Sequence, residues 1–365
     1  MDEKENSKQK IKITSLAGGT ALFVLAAFLV FALWAYRFSD LSQERGFLHK
    51  HIFLPGIIMG GTNFISIGEI NQNILSIKKF YESQDFSDLG LRVDFSTDDG
   101  KKRLKIREKE LINKMIEDKA IEILANERGI NISSKIVDEN VQRKLDEYGG
   151  ESEIKNSLDK LYGWNMSEFK DKIVQPSLYK DELTKWVAEN DGKEKNETAQ
   201  KDSQEAKARL DGGESFETVA EEISKGGTAN SGGKLGWFLE EQISTDISQD
   251  VVALKKGEVS GILESKLGYH IIKLDNTREN SSSGEDGAEN STSQEAYEIS
   301  QIFFPKFSFA NWLDGKIKGM KVWVLMMDYK WDKETGLVEF KNNDMQKFEA
   351  EILEKSQADP SMLSF

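Results

Sequence analysis

The chain of 365 residues has no cysteine, three histidines and four prolines. The lack of cysteine excludes disulfides, thiol nucleophiles and thiolate metal sites. His49 and His51 are too few for a metal centre, so we expect no metal and no cofactor. Basic residues are also fewer than acidic ones, 49 against 63, which gives a net charge of −14. Nucleic-acid phosphates need clustered lysine and arginine, so we expect no nucleic-acid partner.

Charge is missing altogether from residues 13–36, which are apolar over most of their length. A helix of about 20 such residues crosses a bilayer. Four lysines precede this run and few basic residues follow it. This bias predicts a cytoplasmic tail at 1–12, a transmembrane anchor at 13–36 and an extracytoplasmic remainder, that is, a single-pass membrane protein. A cleaved signal peptide is the alternative, but the run is long for one and no Ala-x-Ala site follows it.

Apolar residues recur at helical spacing through residues 101–190. Gly129 and the pair at 149–150 divide this region into successive helices. Three segments resemble the helical N-terminal domain of SurA-like periplasmic chaperones and membrane-anchored foldases: Ile116–Ile130, Val137–Glu147 and Leu161–Phe169. The resemblance implies a mostly helical SurA-like chaperone domain at 55–190. Any soluble helical domain remains the alternative.

Three glycine-containing blocks follow in a fixed order: Gly232–Phe238, Gly257–Ser260 and Gly268–Lys273. Their sequences and spacing resemble the parvulin family of peptidyl-prolyl isomerases. The resemblance implies a parvulin-like domain at 198–275, with a small antiparallel sheet flanked by helices. The whole chain is therefore expected to have an α+β fold. A phosphate-loop interpretation fails, because Leu235 follows Lys234 where serine or threonine is required.

Parvulins normally open with a strand that carries a His-Ile-Leu core, but residues 190–202 are too polar for a buried strand. The segment that resembles this strand is Glu298–Phe304, which comes after the closing block. We therefore predict a circular permutation, in which residues 296–305 supply the first strand. The polar residues 276–295 are predicted to form a disordered loop, and 306–365 a C-terminal extension.

The resemblance also implies which residues form the site. His270 is the histidine of Gly-Tyr-His, Ser265 stands where the family has threonine or serine, and Gln301 replaces the first-strand histidine. These three are the predicted catalytic residues. Gly226 takes the place of an acidic or thiol residue. The predicted substrate-binding residues are apolar: Leu235, Phe238, Ile243 and Ile247.

These expectations together predict a membrane-anchored extracytoplasmic folding factor. It would isomerise X-Pro bonds and act as a chaperone, with unfolded or proline-containing exported polypeptides as partners. The altered polar positions leave an alternative open, a non-catalytic peptide-binding chaperone or envelope scaffold with an inactive parvulin domain. In that case His270 is simply a hydrogen-bonded core histidine. The sequence gives no prediction of oligomeric state.

Overall fold

A computed structural model describes residues 53–84, 94–148, 151–281 and 293–358. The described helices are α1 (Ile67–Ser83), α2 (Asp98–Asn126), α3 (Ser134–Tyr148), α4 (Glu151–Tyr162), α5 (Met166–Phe169), α6 (Gln175–Val187), α7 (Lys193–Asp211), α8 (Phe216–Ile223), α9 (Ser248–Val252), α10 (Phe309–Gly319) and α11 (Asn343–Ala358). The described strands are β1 (Pro55–Met59), β2 (Asn63–Ser66), β3 (Lys234–Leu239), β4 (Leu263–Glu264), β5 (Gly268–Ser281), β6 (Ser293–Pro305), β7 (Val322–Val324), β8 (Tyr329–Asp332) and β9 (Leu337–Phe340). This mixture of a helical region with small antiparallel sheets agrees with the predicted α+β fold.

The predicted cytoplasmic tail and membrane anchor lie outside the described residues. In the part of the chain that is described, no helix combines the length and the apolar character needed to cross a bilayer.

The chain forms two compact units, and the first contains residues up to Leu183 together with those from Asp314 onward. Its antiparallel sheet has the strand order β2-β1-β7. The C-terminal β7 therefore pairs directly with the N-terminal β1, opposing Val324 to Ile57. Helix α2 is anchored to the C-terminal part at Asn113, whose Oδ1 accepts a hydrogen bond from the Val338 backbone N–H at 2.7 Å. The C-terminal extension thus completes the helical unit.

The second unit spans Thr184–Leu313 and contains a four-stranded antiparallel sheet with the order β3-β6-β5-β4. Alternation along β5 sends Tyr269 and Ile271 to one face of the sheet and Ile272 and Leu274 to the other. The first face packs on helices α7 and α8 through a cluster that includes Phe216. The opposite face carries a second apolar cluster. The sheet is therefore buried on both sides.

The predicted disordered loop at 276–295 is wrong at both ends, and residues 282–292 lie outside the described residues. Residues 276–281 extend β5 and residues 293–295 begin β6, and the two segments pair in register. The polar composition of these segments predicted disorder. A two-stranded antiparallel ribbon, however, needs only its backbone hydrogen bonds and a few side-chain contacts. One such contact is made by Arg278, whose guanidinium lies 4.3 Å from the centre of the Trp237 ring.

Two glycines of the sequence blocks occupy positions that a larger residue would obstruct. Gly233 has φ +81°, and a Cβ there would lie 2.6 Å from the carbonyl oxygen of Gln301. A Cβ on Gly268 would lie 2.3 Å from the carbonyl oxygen of Phe304. Both contacts are with β6, so these glycines allow the neighbouring chain to approach that strand closely.

Candidate active site

His270 is the third residue of β5, with its side chain on the same sheet face as Ile272. The imidazole is 5% exposed. Its Nε2 lies 2.7 Å from the hydroxyl of Ser265, and its Nδ1 lies 3.1 Å from Oε1 of Gln301. The structure therefore brings the three predicted polar residues together in one hydrogen-bonded row, which we call the polar row.

Ser265 is held by the tight turn that joins β4 to β5. Its Oγ accepts hydrogen bonds from the backbone N–H groups of Leu267 at 3.0 Å and Gly268 at 3.3 Å. Its own backbone N–H donates to the Gly268 carbonyl at 2.9 Å. Lys306 donates from Nζ to the Ser265 carbonyl at 3.0 Å. These contacts hold the Ser265 hydroxyl within hydrogen-bonding distance of Nε2 of the imidazole.

Gln301 is positioned by β6 and by the glycine turn before β3. Its backbone N–H donates to the Gly233 carbonyl at 2.8 Å. In the ladder Gln301 opposes Ile272, and the diagonal step along β5 brings its amide oxygen to His270. The glycine turn therefore fixes the position of the Gln301 backbone in the sheet, and this position brings its amide oxygen within hydrogen-bonding distance of His270.

The electrostatics of the row favour a neutral imidazole. Burial lowers the pKa of His270 below its ordinary value of 6.5, the hydrogen bond that the ring donates to Gln301 Oε1 partly opposes this effect, and the positive charge of Lys306 lowers the pKa further. A neutral ring has one N–H donor and one acceptor. Because Oε1 of Gln301 only accepts, Nδ1 carries the proton. Nε2 then accepts the hydroxyl proton of Ser265, so each member of the row has a defined role.

The predicted apolar residues lie on the same sheet face as the polar row. Ile243 and Ile247 are buried in a cluster with Ile272, at 7% and 4% exposure, while Leu235 and Phe238 pack against its edge and are half-buried. Leu235 and Phe238 keep some exposed surface, whereas Ile243 and Ile247 are buried. Contact of these four residues with a substrate stays a prediction.

The sequence reasoning missed Phe303. Its ring centre lies 4.7 Å from that of His270, and the two planes are tilted by 38°. Strand alternation could have identified it, since Phe303 follows Gln301 by two residues and shares its sheet face. Phe303 therefore covers one side of the imidazole with apolar surface.

Gly226 lies in the loop that follows α8, close to Phe303. The loop is attached to β6 because Lys225 donates its backbone N–H to the Phe303 carbonyl at 2.8 Å, and the Phe303 N–H donates to Ser224 Oγ at 3.0 Å. A Cβ on Gly226 would lie 3.4 Å from the Cβ of Phe303, an ordinary contact distance. The position can therefore accept a side chain, although this chain has none there.

The helical unit contains a cleft of 330 Å³, lined by α1, α2 and the segment from α5 to α6. Its wall includes Lys172, whose ammonium donates a hydrogen bond to Asn73 Oδ1. Burial lowers the pKa of Lys172, and burial raises the pKa of Asp118 on the facing wall. Met115 and Tyr179 add apolar surface.

Comparison with known proteins gives similarities for part of the chain. The family model described as "Rotamase: PPIC-type PPIASE domain" matches residues 183–276. The foldase protein PrsA of Staphylococcus aureus (strain MRSA252) is 26% identical over 197 residues, which are 47% of this chain and 61% of that protein. The foldase protein PrsA of Bacillus subtilis (strain 168) is 31% identical over 167 residues, 41% of this chain and 56% of that protein. The matches thus span less than two thirds of these relatives.

Among solved structures, the crystal structure of PrsA from Bacillus subtilis covers 71% of this chain and 80% of its own, at 20% identity and a TM-score of 0.19. The sequence matches show a parvulin-type PPIC domain and homology to PrsA foldases.

Proposed function

We propose that this protein is a membrane-anchored extracytoplasmic folding factor that accelerates cis–trans isomerisation of X-Pro bonds in exported polypeptides. The observation that carries the proposal is the polar row of Ser265, His270 and Gln301, lying on one sheet face with Leu235 and Phe238. The match to a PPIC-type domain supports the reaction, and homology to PrsA foldases supports the setting. The uncharged run at 13–36 supports the anchor.

The reaction does not require the protein to make or break a covalent bond. Rotation about the X-Pro amide faces a barrier of about 18–20 kcal/mol because resonance is lost at the twisted geometry. A site lowers this barrier by binding the twisted amide more tightly than the planar one and by keeping water away from its carbonyl. Leu235, Phe238 and Phe303 offer apolar contacts to the pyrrolidine ring. The amide NH₂ of Gln301 is a donor that a substrate carbonyl can use.

We also propose that the isomerase domain is circularly permuted. The family's first strand would be β6, which lies after the 183–276 match and pairs with both β3 and β5. Where an unpermuted domain would have its first strand, this chain has helices α6 and α7. The β5–β6 hairpin supports the idea because it joins the two strands that a permutation would connect. The helical unit would be the SurA-like chaperone domain, with its cleft as a holding site.

A second function is favoured by two specific replacements. Gln301 stands where the family has a histidine, and Gly226 provides no side chain where the family has an acidic or thiol group. A domain with these two losses is also suited to holding peptides without turnover. This version is a non-catalytic chaperone or scaffold.

The test is isomerisation of a short X-Pro peptide by the full chain, compared with His270→Ala. We expect acceleration that the substitution abolishes while the circular dichroism spectrum stays unchanged. The double variant Gln301→His, Gly226→Asp restores the two family positions and should be faster than the parent. If neither the parent nor this folded double variant accelerates the reaction, the catalytic proposal fails and the peptide-binding function replaces it.

A further inference from the structure

The three-stranded sheet of the helical unit has one buried face and one exposed apolar face. Ile57 and Met59 of β1 are fully buried. Between them, Ile58 faces the other way and opposes Phe64 on β2 and Trp323 on β7. We call the exposed side, together with the exposed side chains directly next to it in the chain, the outer sheet face. It comprises Ile58, Phe64 and Trp323 on the strands, Phe53 before β1, and Leu325 and Met327 after β7.

The exposure of this face is unusual for such large apolar side chains. Phe53 is 82% exposed, Trp323 64% and Met327 52%. Phe53 nevertheless contacts Phe64 edge-to-face at 5.6 Å, so it belongs to the same surface. Contiguous exposed apolar surface of this kind marks a protein or membrane contact.

One exposed lysine, Lys321, adjoins the outer sheet face at the start of β7. Two other lysines close to β7 in the sequence are paired, Lys318 with Asp314 at 2.8 Å and Lys330 with Glu339 at 3.8 Å. The Asp328 carboxylate is paired with Lys105 at 3.2 Å. The carbonyl of Lys321 accepts a hydrogen bond from the Gly60 N–H at 3.1 Å. Lysine beside tryptophan suits the interface of an anionic bilayer, where amphipathic rings sit at headgroup level and cations meet lipid phosphates.

The chain also enters the unit at this face. Phe53 is the first described residue, and the uncharged run ends at Tyr36, so sixteen residues separate the two. Sixteen residues span at most about 55 Å when fully extended. An anchor at 13–36 would therefore hold the outer sheet face near the bilayer at a high effective concentration, so that even a weak surface affinity would be sufficient.

We propose that the outer sheet face docks on the surface of the anionic bilayer in which the protein is anchored. Trp323, Leu325 and Met327 enter the headgroup region, and Lys321 contacts a lipid phosphate. The inference rests on the membrane anchor of the proposed function and goes beyond it, because it gives the helical unit a defined orientation towards the lipid. The short connection to the anchor favours the lipid surface over an unfolded client chain, because it brings this face to the bilayer and to no particular client.

The absence of cysteine makes the test direct, because Met327→Cys gives a single labelling site. An environment-sensitive nitrobenzoxadiazole label is attached to the full chain in phosphatidylcholine vesicles, with or without phosphatidylglycerol. Leu337→Cys is the matched control, since Leu337 is 48% exposed on β9 of the same unit but lies outside the outer sheet face. We expect a blue shift and a rise in emission at position 327 with phosphatidylglycerol, and no change at position 337. Lys321→Glu or Trp323→Ser should reduce the rise at 327.

Equal responses at the two positions, or none at 327, overturn the docking. A rise at 327 caused by reduced, carboxymethylated α-lactalbumin instead of lipid also overturns it and makes the face a client-binding surface. Flotation of the vesicles reports the anchor separately. A chain that floats without a shift at 327 keeps the anchor and loses the docking. A chain that does not float but shifts when vesicles are added in excess keeps the docking and loses the anchor.

Discussion

Replacing Ser265 with alanine should damage both the stability of the isomerase-like unit and its turnover. The hydroxyl bonds to His270 Nε2 at 2.7 Å and accepts from two backbone N–H groups of the β4–β5 turn. Its removal takes this partner away from a buried ring nitrogen and from two turn N–H groups. At about 1–3 kcal/mol for groups left unsatisfied in this way, we expect a loss of about 2–3 kcal/mol in the free energy of unfolding.

Ser260→Ala is a matched control for this prediction. Ser260 is also a buried serine that supports β5, since its Oγ accepts from the Ile272 N–H at 2.9 Å and donates to the Gly261 carbonyl at 2.7 Å. Neither of these hydrogen bonds involves His270. We expect Ser260→Ala to cost about 1–2 kcal/mol of stability and to leave turnover nearly unchanged.

Urea unfolding and the X-Pro isomerisation assay together separate the two effects. A hydrogen bond of about 1.5 kcal/mol that orients the imidazole corresponds to about a tenfold loss of rate. Ser265→Ala should therefore lose about tenfold in turnover while Ser260→Ala does not, under conditions where both are folded. Equal turnover in the two variants would refute the view that the polar row orients a working imidazole, and Ser265 would then be structural only.

Three further predictions concern the same unit. Because burial lowers the pKa of His270, the unfolded chain binds more protons than the native one between pH 6.5 and the lower native pKa, and the free energy of unfolding should fall as the pH drops through this window. His270→Gln should remove this part of the pH dependence of stability, measured by urea unfolding at several pH values. The same pH dependence in parent and variant would contradict the prediction. Gly233→Ala should cost about 2 kcal/mol or more, because φ is +81° and the facing strand carbonyl is too close, while Gly261→Ala, which meets open space, should be nearly neutral in the same thermal melts. Arg278→Ala should cost about 0.5–1 kcal/mol and change the fluorescence of Trp237; no change in either would show that this ring contact is not formed in solution.

The sequence predicted the parts of the site that depend on local pattern. The glycine blocks and the Gly-Tyr-His motif identified His270 and Ser265, and the strand-like run near 300 identified Gln301 as their neighbour. Phe303 was not predicted because it is apolar and the predicted catalytic positions are polar, although alternation along β6 places it on the same sheet face as Gln301. Burial of Ile243 and Ile247 could not be foreseen, since a pocket wall and a core have the same composition.

The main features that could not be predicted were the strand pairings between segments that lie far apart in the sequence. Nothing in the local pattern of residues 322–324 shows that they will pair with β1, because the partners are separated by almost the whole described chain. The polar ends of β5 and β6 were predicted as loop for a related reason. Composition reports whether a segment can form a core, but it does not report whether a backbone ladder continues past the core into solvent.

The pairing of β1 with β7 has a consequence for biosynthesis. The strand that completes the first sheet follows the whole second unit in the sequence, so β1 and β2 must wait for it during synthesis. The unit between them is continuous in sequence and can fold earlier. The helical unit therefore completes its sheet only after the second unit and β7 have both been made.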